Sequence, residues 1–265
     1  MSAIAELFER TRAENRAALV GYLPAGFPNK SASIAAIEAM VEGGVDLVEV
    51  GLPYSDPVMD GPVIQAAADQ ALTAGTRPAD VLDVVRASAA TGAPTVIMTY
   101  WNPVERYGVD RFAADLAAAG GSGLITPDLT PDEAGEWIDA STKHGLDRIF
   151  LVAPSSTDAR LAMTADAASG FIYAAAVMGV TGAREQTSTL GPELVARTRK
   201  VTDKPIGVGI GVSNGAQAHD VAEFADAVIV GSALVRCLLD APDEAAGLDA
   251  IRTLARDLRA GVERN

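Results

Sequence analysis

The chain has 265 residues, 49% of them hydrophobic and 21% charged, a balance that supports a large packed core and excludes a disordered chain. A formal charge of −14 and a pI near 4.5 argue against nucleic acid and anionic membrane surfaces as partners. A small anionic ligand held by backbone N–H groups remains compatible with that charge. One cysteine, Cys237, excludes an intrachain disulfide; in "VIVGSALVRCLL" it reads as a buried thiol on a helix.

The N-terminal "MSAIAELFERTRAEN" is acidic and amphipathic, the pattern of an extra helix rather than a targeting segment, and no apolar run elsewhere reaches membrane-spanning length. A cytoplasmic protein is expected. Eight short runs rich in Val, Ile and Leu then follow in order: "AALVGYL", "VDLVEVGL", "PTVIMTY", "SGLITPD", "DRIFLVAP", "GFIYAAAV", "KPIGVGIG" and "DAVIVGS". Between them lie helical patterns such as "SASIAAIEAMVEGG" and "DRFAADLAAAGG", many ending in Gly. Eight consecutive βα units predict an α/β protein with a single (β/α)8 TIM barrel over residues 1–265, carrying an N-terminal helix and an inserted helix in "GPVIQAAADQALTAG". A doubly wound sheet would carry a Gly-rich turn after its first strand, and "PAGFPNKS" is no such turn.

In such barrels the active site forms at the C-terminal ends of the strands. The second strand, within "LVEVGLPYSDPVMDG" (47–61), carries Glu49 between Val48 and Val50. Alternation places Glu49 with Leu47 and Gly51 on the face opposite Asp46, Val48 and Val50, so its carboxyl can point into the barrel. It is either a paired structural carboxylate or a proton shuttle whose pKa rises toward neutrality among apolar neighbours. Asp60, in the loop that follows, is either the cap of the helix starting at Gly61–Pro62 or a second functional carboxylate. Asp56 reads as a surface turn residue.

Glycines after the seventh and eighth strands, in "GVGIGVSNG" and "GSA", suit either close packing or a phosphate site with Gly211, Gly231 and Ser232 as donors. The polar stretch from Met178 to Gly191 reads as a lid with Thr181 and Gly182 at its start, or as a plain surface loop. None of the four lysines falls at the C-terminal end of a strand, which argues against a Schiff-base aldolase. His144 and His219 sit in helical patterns without a second ligand at metal spacing and read as surface residues.

"LVEVGLPYSDPVMDGPVIQ" closely resembles the signature of the tryptophan synthase alpha chain family, and "FLVAPSSTDAR", "SGFIYAAAVMGVTGARE" and "VGIGVS" are similar to further blocks of that family in the same order. The likeness spans nearly the whole chain. It implies retro-aldol cleavage of indole-3-glycerol phosphate to indole and glyceraldehyde 3-phosphate, with Glu49 and Asp60 as the essential carboxylates. It implies no cofactor in this chain, and a beta-chain partner, carrying pyridoxal phosphate, in an alpha2beta2 complex that turns the indole into L-tryptophan. By the same resemblance Tyr22 and Met98 are walls of the indole pocket, Tyr173 is a neighbour of Glu49, and Thr181 is a closure contact for Asp60. Gly182, Gly211, Gly231 and Ser232 match the phosphate site, and Pro53, Asp56 and Pro57 match positions facing the beta chain. Two departures stand out: Ala176 occupies a place where the family commonly has serine, and "GLITPDLTPDE" differs from the usual fourth-strand block while keeping Asp128.

Overall fold

Each of the eight apolar runs contributes one parallel strand in the computed structural model, which describes residues 1–176 and 187–264. The strands are β1 (Ala18–Pro24), β2 (Leu47–Gly51), β3 (Thr95–Met98), β4 (Gly123–Thr126), β5 (Asp147–Val152), β6 (Ile172–Ala175), β7 (Ile206–Gly209) and β8 (Ala227–Val230). They pair in chain order and β8 closes onto β1, with Ala18 opposite Ala227 and Tyr22 of β1 opposite Glu49 of β2. The predicted closed barrel is therefore the observed one.

Twelve helices are described. Eight lie between successive strands or after the last: α2 (Lys30–Glu42), α4 (Pro78–Ala90), α6 (Val109–Ala118), α7 (Gly135–His144), α8 (Asp158–Ala167), α9 (Thr187–Arg199), α10 (Gly215–Ala222) and α12 (Glu244–Gly261). Four are additions: α1 (Ala3–Ala13), α3 (Pro62–Thr73), α5 (Trp101–Tyr107) and α11 (Ser232–Leu239). The sequence pattern predicts α1 and α3; α5 is a short helix that "WNPVERY" does not announce by periodicity. Among the described residues no helix is long and apolar enough to cross a membrane.

The period-two alternation of the strands sorts the core into two layers. Outward residues such as Val48, Val50, Ile97, Leu124, Phe150 and Val208 pack against the helices. Inward residues Ala18, Val20, Leu47, Val96, Ile125, Ile149, Phe171, Ala227 and Ile229 fill the barrel with Ile4, Leu7 and Phe8 of α1. The α1 helix thus stops the N-terminal end of the barrel, and Phe8 meets Phe171 with ring centroids 5.8 Å apart. A barrel closed below by apolar packing opens only at the C-terminal ends of its strands.

Below the barrel two aspartates perform the same task. Asp46, just before β2, receives Arg16 Nη1 at 2.6 Å and Nη2 at 2.8 Å and accepts the Leu19 amide at 2.9 Å. Asp226, just before β8, pairs with Arg199 and accepts the Ile206 amide at 2.8 Å. Each carboxylate ties the start of its own strand to an amide at the start of the preceding strand. The side chains of Arg16 and Asp46 are only 5% and 9% exposed, so removing one leaves the other charge desolvated. Asp46→Ala is expected to destabilise the fold by about 4 kcal/mol. Glu42→Ala, which breaks the exposed pair with Arg252, should cost under about 1 kcal/mol. Urea unfolding of the two variants side by side checks this ranking.

Candidate active site

Two inward glycines make the upper barrel roomy enough for tyrosines. A Cβ on Gly51 would lie 2.3 Å from the Tyr22 hydroxyl, and one on Gly209 would lie 2.6 Å from the Tyr173 hydroxyl. Only glycine at these positions lets the Tyr22 and Tyr173 rings from β1 and β6 lie across the ends of β2 and β7. Glu49 projects into the same space, 1% exposed, and its Oε1 has no hydrogen-bond partner among the described residues. Burial pushes its carboxyl up to about 8, so the group carries a proton at neutral pH. Burial also holds both phenols well above their ordinary value, reinforced by Asp60 and Glu49 at Tyr22 and by Glu49 at Tyr173. Both tyrosines are therefore neutral hydroxyls beside the carboxyl, and among the described residues the paired-carboxylate alternative for Glu49 finds no partner for Oε1.

Asp60 reaches the mouth from the loop after β2. It does not cap α3: the N-cap is Gly61, without a side-chain bond, and Pro62 opens the helix. Its Oδ1 instead accepts a hydrogen bond from the Tyr100 hydroxyl at 3.0 Å. Burial raises the Asp60 pKa, and the Tyr100 bond counters that rise. The two carboxylates thus differ in kind, one enclosed and protonated, the other on a loop with a donor that favours its charge.

Opposite this pair lie the ends of β7 and β8. Gly211 adopts φ +82°, a left-handed turn that a side chain would strain. Gly231 is the N-cap of α11 and Ser232 its first residue, so the first amides of that helix emerge at the barrel mouth. A Cβ on Gly231 would sit 3.4 Å from the Tyr22 ring, which puts this helix start against the same pocket.

The family model described as tryptophan synthase alpha chain matches residues 8–263. The chain belongs to the tryptophan synthase alpha chain family. The tryptophan synthase alpha chain of Salinispora arenicola is 66% identical over 262 residues, covering 99% of this chain and 98% of its own. That of Acidothermus cellulolyticus is 64% identical over 264 residues, covering 100% and 98%. The structure of Mycobacterium tuberculosis tryptophan synthase aligns with a TM-score of 0.93 at 57% identity, over 100% of this chain and 99% of that one. Tryptophan synthase subunit alpha from Legionella pneumophila aligns at 0.88 and 34% identity, over 99% and 98%. As a member of this family the chain is a carbon–carbon lyase acting on indole-3-glycerol phosphate.

Within this alpha-chain barrel the expected site residues divide. Tyr22, Glu49, Met98 and Tyr173 lie within β1, β2, β3 and β6, Gly231 follows β8 directly and Ser232 opens α11, and Asp60 and Gly211 lie on the loops after β2 and β7. Thr181 and Gly182 lie outside the described residues, and the last five positions of the expected 178–191 lid, 187–191, belong to α9. Pro53 is buried, because it follows Leu52 where that residue's amide bonds to the Met98 carbonyl and folds the chain inward. Asp56 is exposed and Pro57 half-buried; the outermost side chains of that loop are Val58 and Met59, 76% and 47% exposed. Cys237 is half-buried rather than enclosed, and its thiol bonds to the Ala233 carbonyl. His144 contacts Asp110 at the surface, and no group of three or more His, Cys, Asp or Glu could hold a metal among the described residues.

The residue that sequence reasoning missed is Tyr100. Its signal was the aromatic pair of "MTYWNP" directly after the third strand, where the barrel rule places function. A buried carboxyl held protonated also has a stability consequence. From its ordinary value of 4.5 up to about 8 the folded chain keeps a proton that the unfolded chain has lost, so stability falls as pH rises through that window. Glu49→Gln removes the penalty. It is expected to melt roughly 5 °C above the parent at pH 8, with the gap closing toward pH 5, as calorimetry at the two pH values would record.

Proposed function

We propose that Glu49 and Asp60 carry the cleavage, Glu49 as the acid and then the base and Asp60 as the anion that steadies the indole ring. The observation that carries this reading is the buried, protonated Glu49 carboxyl inside the barrel mouth, its Oε1 unpaired among the described residues, together with a loop carboxylate, Asp60, whose rise through burial is countered by the Tyr100 donor. Glu49 gives its proton to indole C3, and the positive charge that develops on the ring nitrogen is met by ionised Asp60, which accepts the ring N–H. The Glu49 carboxylate then takes the proton of the C3′ hydroxyl. As that O–H bond breaks, the aldehyde C=O forms, the C3–C3′ bond cleaves, and its electron pair restores the aromatic indole. Glu49 ends protonated as it began, so the cycle balances without a cofactor.

Tyr22 and Met98 serve as walls for the indole, and Tyr173 keeps a neutral hydroxyl beside Glu49. The left-handed turn at Gly211 and the α11 amides at Gly231 and Ser232 suit the phosphate, with Gly182 added by family resemblance, which also gives Thr181 as a closure contact for Asp60. The chain works as one barrel unit in the cytoplasm. Indole passes to a beta chain holding pyridoxal phosphate, in an alpha2beta2 complex, where it becomes L-tryptophan. Exposed Asp56 with Pro57, Val58 and Met59 forms the partner face, because two adjacent apolar side chains in water are what an interface core recruits.

Indole release from indole-3-glycerol phosphate is the test. Glu49→Gln should lower kcat about 10³-fold, and Asp60→Asn about 10²-fold; a fully active Glu49→Gln protein sinks the assignment. Added beta chain should raise the parent's rate. Val58→Asp should increase the beta-chain concentration needed for half-maximal stimulation about tenfold while leaving the unstimulated rate in place. Stimulation of that variant at parental concentrations would move the partner face elsewhere.

A further inference from the structure

We infer that Tyr100 is a positioning residue whose single hydroxyl locks the backbone of the partner-facing loop to the aim and charge of Asp60. The inference rests on the assignment of Asp60 proposed above. Tyr100 is 5% exposed and stands at the N-cap of α5. Its oxygen donates to Asp60 Oδ1 at 3.0 Å and accepts the Met59 amide, also at 3.0 Å. Burial leads the causes that push the phenol up to about 12, so it stays protonated and has one proton to give. That proton goes to the carboxylate, and a lone pair takes the amide of the residue just before it. Met59 cannot shift without pulling the hydroxyl that Asp60 depends on.

The anchor itself is fixed from two directions. The Tyr100 ring lies against Tyr54, centroids 5.3 Å apart and planes at 34°, so the start and the end of the loop meet the same ring. Asn102 Nδ2 donates to the Tyr54 hydroxyl at 3.2 Å. Behind the ring, both Asp128 oxygens accept the Trp101 amide, at 2.9 and 3.1 Å, tying the start of α5 to the loop after β4. Tyr100 therefore belongs to the rigid frame, whereas Asp60 sits on a loop whose outer surface is Val58 and Met59. A contact on those two side chains acts one residue away from the amide that Tyr100 holds. Among the described residues the titratable groups bearing on Asp60 are Tyr100 from the loop after β3 and Tyr22 from β1, with Glu49 of β2 also bearing on Tyr22.

Tyr100→Phe keeps the ring on Tyr54 and removes only the oxygen. Loss of a donor to the carboxylate disfavours its ionised form, so the acid limb of the kcat/KM profile should move to higher pH. At neutral pH kcat should fall about 30-fold with KM changed less than about threefold, because the bond matters most when charge develops on the ring. Stimulation by added beta chain should shrink in parallel. Asp60→Asn is measured beside it. If Asp60→Asn is inactive while Tyr100→Phe keeps its rate, or loses rate with the acid limb in its parental place, the positioning role is overturned and the ring alone matters. If Asp60→Asn is itself fully active, the Asp60 assignment fails first and the role of Tyr100 falls with it.

Discussion

A carboxyl enclosed with Oε1 unpaired among the described residues is the constraint around which this barrel is organised. Ionised Glu49 would lose water with no described hydrogen bond to that oxygen in return, so the interior keeps it protonated. That state requires the water to stay out. The α1 helix closes the lower end with Ile4, Leu7 and Phe8, and the layer of Leu47, Val96, Ile125 and Phe171 separates Glu49 from that end. The neutral tyrosines complete the enclosure without offering the charge that would pull the proton away. Stability given up at one buried acid is the condition for an acid that is still loaded at pH 7.

Asp60 answers to the opposite requirement. An anion that must meet a cationic ring has to be ionised, and burial alone would work against it. The donor on Tyr100 offsets that burial, and the loop keeps the group nearer solvent than Glu49. Two carboxyl groups on consecutive segments, one on a strand and one on the loop after it, thereby meet different surroundings: Glu49 is raised by burial with no counteracting donor among the described residues, whereas Asp60's rise is countered by Tyr100. Their spacing in sequence is short because a βα loop leads directly from the wall of the barrel to its rim.

Much of this was legible in the residues. The eight apolar runs became the eight strands, and alternation along "LVEVG" correctly turned Glu49 inward with Leu47, because a one-residue shift would have sent Glu49 out into the apolar layer under the helices that Val48 and Val50 fill. Gly61 and Pro62 marked the start of α3 by the ordinary chemistry of helix ends. What stayed hidden depended on contacts between distant segments. Nothing local tells whether Asp60 bonds to its own helix or to a tyrosine forty positions on. Gly51 and Gly209 looked like strand ends, and their use as space for Tyr22 and Tyr173 exists only once β1 meets β2 and β6 meets β7. Pro53 matches by resemblance a position facing the beta chain, and its burial beside Leu52, whose amide bonds to the Met98 carbonyl, was not legible from the loop's sequence.

The net charge of −14 and an anionic substrate are reconciled by distance. At physiological salt, interactions between exposed charges fade over about 8 Å, so the acidic surface as a whole imposes little on a phosphate inside the mouth. What acts there is the local field. The first amides of α11 start at Gly231, directly after β8, and the left-handed turn at Gly211 lies beside them at the end of β7. Such backbone dipoles are fixed by the fold and need no lysine or arginine to be recruited. They also hold no titratable group, so any change in phosphate affinity with pH at this end comes from the phosphate's own second ionisation. A barrel that sets its acid and its anion by burial gains from binding the remote end of the substrate with groups that do not titrate. On the protein's side the pH response of the proposed reaction then belongs to the carboxylates.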